Sequence, residues 1–192
     1  MKGIVFNLLE SVVVRRHGEA AWDGILDAAG LDGCYTSLGN YSDDEIEKLV
    51  LAAGMALGAG RDEILRGFGR DAMPLLARQY PAFFRGHNST QSFVLSVNSI
   101  IHPEVRKLYS GARCPFFGFK QDDGGALLME YDSPRRLCAL AHGFVEGAGD
   151  HFGETVRVEH LSCVRNNDPK CVLRIHTGGR GQSDTADRPV LS

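Results

Sequence analysis

Residues 114–136 read CPFFGFKQDDGGALLMEYDSPRR, and this stretch decides the fold. Two β-prone runs, Cys114–Lys120 and Ala126–Tyr131, flank the turn sequence Gln121-Asp122-Asp123-Gly124-Gly125, which is the composition of a hairpin. Downstream, Arg136–Phe152 has the spacing of a helix. A second hairpin follows from Thr155–Val164 and Lys170–His176 around Asn166-Asn167-Asp168-Pro169. The order is ββαββ.

Upstream of Cys114 the pattern is helical throughout. Ile4, Val5, Leu8, Leu9, Val12 and Val13 make an amphipathic stripe over residues 3–16, and a short helix fits Ala20–Ala29. Ser42 and Glu45 form a capping box in front of Ile46, Leu49 and Val50. Residues 61–84 read as two helices, broken near Gly67–Gly69 or at Pro74 and ended by Tyr80-Pro81. A further helix over about 89–109 carries the stripe Phe93, Val97, Ile100, Ile101, Val105 and Leu108. The expectation is α+β: one domain over 1–177, with a helical half at 1–110 packed on a ββαββ half at 111–177. Residues 178–192 have almost nothing to bury, which predicts a disordered tail.

The chain has 192 residues of which 43% are hydrophobic, enough for one substantial core. Lys plus Arg is 21 against 24 for Asp plus Glu, so there is no basic field to hold a phosphate backbone and no nucleic-acid partner is expected. No run reaches the roughly 18 apolar residues of a membrane span. The start, MKGIVFNLLESVVVRRHG, places its basic residues after the apolar ones, the reverse of an export signal. A cytoplasmic protein with reduced thiols follows, without membrane insertion. No nucleophile elbow, phosphate-binding loop or acid–base carboxylate pair is visible, so an enzyme is not expected; the glycines at 54, 58 and 60 lack the preceding strand of a nucleotide motif.

His102 lies within the apolar stripe of the 89–109 helix. It reads either as a core histidine or as an axial ligand to haem iron. Pro103 beside it removes a helical hydrogen bond at the Ser99 carbonyl and predicts a kink. Tyr131, Ser133 and Arg135 read first as a strand end followed by an N-cap, with Ser133 capping and Pro134 opening the helix. Their i, i+2, i+4 spacing also puts two hydroxyls and a guanidinium on one side of an extended segment, which suits a ligand bearing carboxylates, such as the haem propionates.

Cys138, His160, Cys163 and Cys171 form C-x21-H-x2-C-x7-C. The pattern fits a closed tetrahedral Cys3His zinc site, or three half-buried thiols beside a surface histidine. Cys34 and Cys114 fall outside it.

Taken together, MKGIVFNLLE, the buried His102, Pro115 opening a strand and Tyr131-x-Ser133-x-Arg135 resemble the H-NOX family, the haem-nitric oxide/oxygen binding domains. The resemblance covers about residues 1–177 and is to the stand-alone bacterial type. It implies haem b between the two halves, His102 as the iron ligand, Tyr131, Ser133 and Arg135 on the propionates, and Pro115 pressing on the porphyrin. The remaining pocket residues would be Val5, Leu9, Leu140 and Phe144. Some members bind O2 through a tyrosine at the position that Leu140 fills here. An apolar pocket without that donor implies a sensor that takes nitric oxide, excludes O2, and signals by breakage of the His102–iron bond. A subset of the family carries a Cys3His zinc site, which implies Zn2+ at Cys138, His160, Cys163 and Cys171. The partner implied is a sensor histidine kinase or a cyclic-di-GMP enzyme. The competing expectation is a zinc- and thiol-dependent redox or small-molecule-binding module similar to the vinyl-reductase-like domain.

Overall fold

Eleven principal elements are present in the computed structural model, which describes residues 1–180. The helical half contains α1 (Gly3–His17), α2 (Glu19–Ala29), α3 (Asp43–Leu57), α4 (Arg61–Gln79), α5 (Thr90–Leu95) and α6 (His102–Leu108). The second half contains β1 (Phe116–Gln121), β2 (Leu127–Asp132), α7 (Cys138–Phe152), β3 (Glu154–Ser162) and β4 (Cys171–Arg180). The four strands form one antiparallel sheet in the order β1-β2-β4-β3. The arrangement is α+β.

Local chemistry sets the boundaries where it is strong. Ser42 Oγ accepts from the Asp44 amide at 3.1 Å while Glu45 accepts from the Ser42 amide at 3.2 Å, so the expected capping box starts α3, and Gly58 ends it in the left-handed conformation. In the β1–β2 hairpin Phe117 pairs with Tyr131, which turns both side chains to the helical layer. Phe6, Ile46, Leu49, Leu65 and Leu173, drawn from both halves, are almost wholly buried and form the centre of the core.

Tertiary packing overrides local pattern in four places. First, α4 is one unbroken helix. Gly69 is not a break but a point of close approach, where an added Cβ would lie 2.4 Å from the Leu140 carbonyl oxygen of α7. Pro74 is accommodated inside the same helix. Second, the 89–109 segment is divided: a π-helical turn, Val97–Ile101, separates α5 from α6. Pro103 supplies no N–H to the carbonyl of Ser99, and the wider turn immediately before it is where the expected kink is taken up. The widening rotates the stripe, so that Ile100 and Leu108 are each 51% exposed instead of buried. Third, Ser133 does not cap α7, which begins only at Cys138; Arg136, at φ 52°, turns the chain between them. Fourth, β4 continues through Arg180, whose backbone pairs with Glu154, three residues past the expected end of the domain. The remainder of the expected tail lies outside the described residues.

Candidate functional site

A cavity of about 500 Å³ lies between the helical layer and the β1–β2 hairpin, walled by α1, α4, α6 and α7. Its size is that of a site for a cofactor-sized ligand, and its lining is mainly apolar. His102 faces it at the first position of α6. The ring packs on Phe117, with centroids 5.8 Å apart. Asn98, in the π turn, ties that helix to β1 by donating from Nδ2 to the Phe117 carbonyl at 2.5 Å and accepting from the Phe117 amide at 3.2 Å. Burial, and to a smaller extent Arg106, push the imidazole down to about pKa 4, against the opposite pull of the Pro115 carbonyl. Its Nδ1 is buried with no hydrogen-bond partner. A core histidine would have satisfied that atom. A neutral, unsatisfied imidazole in an apolar chamber is chemically suited to coordinate a metal.

The polar mouth of the cavity is built from Tyr131, Ser133 and Arg135. Tyr131, on β2, is buried, and its hydroxyl accepts from the Leu137 amide at 3.2 Å. Desolvation holds its phenol above the ordinary value, so the hydroxyl keeps its proton. Ser133 Oγ accepts from the Arg135 amide at 3.3 Å. Arg135 donates from Nε to Asp43 Oδ1 at 2.9 Å and from Nη1 to the Arg113 carbonyl at 2.6 Å; among the described residues its Nη2 has no hydrogen-bond partner. The Met1 amino group donates to the same Asp43 oxygen at 2.7 Å. Burial alone would raise the Asp43 carboxyl, but these two cations hold it below the usual carboxylate range. Asp43 was not legible as a site residue, because it stands 92 positions from the arginine it braces.

Val5, Leu140 and Phe144 line the cavity, as does Pro115. Leu9 does not; it is buried in the core behind α1. At about 100° per residue Ile4, Val5 and Leu8 share one face, with Leu8 at its centre, and Leu9 falls beyond its edge. Leu8 is the pocket residue that replaces it. The α1 and α7 walls offer no hydroxyl to the cavity: Ile4, Val5, Leu8, Leu140, Phe144 and Val145 are all hydrocarbon. Tyr80 and Tyr109 also line it, at the ends of α4 and α6, with their hydroxyls bonded to each other.

A second group lies on the other side of α7. The thiols of Cys138, Cys163 and Cys171 converge, with Cys138 Sγ to Cys163 Sγ at 3.5 Å and Cys171 Sγ to Cys163 Sγ at 3.8 Å. Tetrahedral zinc with Zn–S near 2.3 Å sets its sulfurs about 3.8 Å apart, so these three fit such an ion. Burial and the neighbouring thiols push Cys138 well above its ordinary value. All three could ionise together only with a cation among them. The expected fourth ligand, His160, is not in this convergent group. Its Nε2 lies 3.1 Å from Nδ1 of His142, a residue one helical turn beyond Cys138.

A helical layer over a four-stranded antiparallel sheet, enclosing an apolar chamber with one neutral histidine and an arginine at its mouth, defines a cofactor-binding domain. The Haem-NO-binding family model matches residues 2–160. An H-NOX protein from S. oneidensis in the Fe(II)NO ligation state is 30% identical, the match covering 93% of this chain and 99% of that one with a TM-score of 0.85. The unliganded Fe(II) H-NOX protein from K. algicida, 24% identical over 93% of this chain and 97% of that one, has a TM-score of 0.79. An oxygen-binding H-NOX domain related to soluble guanylate cyclases, solved as its oxygen complex, shares the fold at 23% identity, covering 94% and 96% of the two chains with a TM-score of 0.77. The chain belongs to the haem-NO-binding, or H-NOX, family: haem-binding gas-sensor domains, not catalysts. No helix among the described residues is long and apolar enough to cross a membrane.

Proposed function

We propose that this chain is a haem b nitric oxide sensor that excludes O2 and passes its signal to a separate protein, by family resemblance a sensor histidine kinase or a cyclic-di-GMP enzyme. The observation that carries the reading is His102, a neutral, half-buried ring whose Nδ1 is buried and unsatisfied, in the wall of an apolar cavity. Haem, when bound, supplies the iron that takes the diatomic gas. His102 is its protein ligand, and Tyr131, Ser133 and Arg135 hold its carboxylates, with Asp43 and the Met1 amino group fixing the guanidinium. Pro115, in the cavity wall, would lie against it. Cys138, Cys163 and Cys171, with His160, hold a structural Zn2+.

His102 is also the moving part. While it is held, α6 is pinned to the cavity. Were His102 freed from the iron, α6 and the Val97–Ile101 turn would be able to shift against β1, to which Asn98 links them. The test is the anaerobic ferrous spectrum of haem-loaded protein, followed by nitric oxide and, separately, by air. A five-coordinate ferrous spectrum converting to a five-coordinate nitrosyl, with no stable oxy complex in air, is expected. A six-coordinate nitrosyl or a persistent oxy complex overturns the reading.

Discrimination against O2 rests on the hydrocarbon walls of α1 and α7. Bound O2 is polarised, and a hydrogen bond to it is worth about 1–3 kcal/mol. Leu140→Tyr brings a hydroxyl to the α7 wall and is expected to slow O2 dissociation by roughly tenfold or more, which flash photolysis measures; nitric oxide affinity should barely move. Haem uptake should be insensitive to pH where His102 is neutral. Between pH 8 and 6 the rate of forming the histidine-ligated spectrum stays constant, and it falls as pH approaches about 4, where the ring protonates and loses its lone pair. A midpoint near 6.5 in stopped-flow mixing would mean the ring is not buried as described.

A further inference from the structure

His142 and Glu146 lie on the face of α7 that carries Cys138, spaced at i, i+4 and i+8, and both are buried, at 7% and 9% exposure. Ionisable side chains that deep need partners. His142 Nδ1 sits 3.1 Å from His160 Nε2. Its Nε2 is buried, makes no hydrogen bond, and lies 3.4 Å from Glu146 Oε1. Glu146 in turn accepts from Arg66 of α4 through both oxygens, at 2.7 Å from Nε and 2.5 Å from Nη2. His160 pairs across the sheet with Leu173, two residues from Cys171 on β4, so its side chain shares a face of the sheet with that thiol.

We propose that His142, braced by Glu146 and Arg66, is the positioning residue for His160 as a zinc ligand; the inference rests on the zinc reading above. His142 Nδ1 faces His160 and its Nε2 faces the Glu146 carboxylate, so neither nitrogen is turned to the thiols. His160 has its Nε2 engaged, which leaves Nδ1 as the nitrogen for the metal. Coordination at Nδ1 puts the His160 proton on Nε2, which donates to His142 Nδ1. His142 then carries its own proton on Nε2, directed to the Glu146 carboxylate. One set of protons satisfies the chain of three. Outer partners of this kind fix a ligating ring's tautomer and orientation and raise its basicity.

The experiment uses the full chain loaded with Zn2+ or Co2+, comparing wild type with His142→Phe, His142→Gln, Glu146→Gln and His160→Ala. Zinc affinity, read by competition with a chromophoric chelator, should fall about 10- to 100-fold in His142→Phe. It should recover within a few-fold in His142→Gln, whose amide oxygen can accept from His160, a rescue that a purely packing role does not give. Glu146→Gln keeps the shape of the seam and should lose affinity severalfold. In the Co2+ proteins the thiolate charge-transfer bands should persist in the His142 and Glu146 variants, while the ligand-field bands reporting the nitrogen donor shift in His142→Phe and are altered most in His160→Ala. Unchanged affinity and unchanged ligand-field bands in both His142→Phe and Glu146→Gln overturn the positioning role while leaving the zinc site standing. So does an unaltered spectrum in His160→Ala, because His160 would then not be a ligand for His142 to position. A wild-type protein that binds neither metal overturns the zinc reading itself.

Discussion

His102→Gly is expected to lose the haem-iron histidine bond and to hold haem with a ligated spectrum only when imidazole is added. The substitution opens a ring-sized space in the cavity wall beside Phe117, and free imidazole can enter it from the apolar side. Loss of haem affinity without imidazole should exceed the roughly 10- to 100-fold that removing even an outer partner of a metal ligand costs. The fold should tolerate the change. Nδ1 of His102 makes no hydrogen bond, so the substitution gives up at most the interaction with the Pro115 carbonyl, and the helix propensity of glycine costs only about 1 kcal/mol at the start of a short helix. The measurement is the Soret band of variant protein with and without imidazole, beside the far-ultraviolet circular dichroism of each. An unaltered Soret spectrum in the variant would remove His102 from the iron and with it the proposed signalling route. Addition of imidazole should also abolish the response of α6, because a free ligand is not covalently attached to the helix.

What could be read in advance follows the range of the interactions. The α3 capping box and the two hairpins are closed within a few residues of sequence, and each appears where the local chemistry puts it. His102 and the Tyr131, Ser133 and Arg135 cluster are carried by a motif, and all four line the cavity. The elements that escaped are held from far away. Nothing near Gly69 in sequence distinguishes a helix-breaking glycine from one pressed against another helix; the answer lies at Leu140. Leu9 and Leu8 are equivalent in an apolar stripe until a cavity exists to separate them. His142 is another solvated histidine by pattern, and becomes informative only when β3 brings His160 to within 3.1 Å of it. The signal that could have found it is the shared face of α7: Cys138, His142 and Glu146 recur every four residues on one helix.

Gly143→Ala is expected to be strongly destabilising, because the added methyl meets the backbone of a neighbouring helix. A Cβ at Gly143 would lie 2.0 Å from the Arg66 carbonyl oxygen and 2.8 Å from its carbon, both backbone atoms of α4. Gly69 and Gly147 interlock at the same seam, where Cβ atoms would meet the Leu140 oxygen at 2.4 Å and the Arg70 oxygen at 2.6 Å. No side chain can swing aside, so α4 and α7 must move apart along their length. The alanine gains about 1 kcal/mol of helix propensity, whereas overpacking against fixed backbone costs about 3 kcal/mol or more. A net loss of roughly 2–3 kcal/mol lowers the melting temperature by about 5–10 °C in a chain of this size. Ion pairs across the seam, Arg66 with Glu146 and Arg70 with Asp150, stretch as the helices part, and being partly exposed they offset little. Gly67→Ala on α4 is the control. Its Cβ would meet nothing within 4 Å, so the same methyl on the same helix should stabilise by about 0.5–1 kcal/mol. The opposite signs separate packing from propensity. Because Leu140 and Phe144 flank Gly143 and line the cavity, separation of the helices also widens the wall that keeps polar groups from the gas site, and faster haem loss should accompany the fall in melting temperature in Gly143→Ala alone. Equal melting temperatures for the two variants would mean that α4 and α7 do not approach as closely as these glycines require.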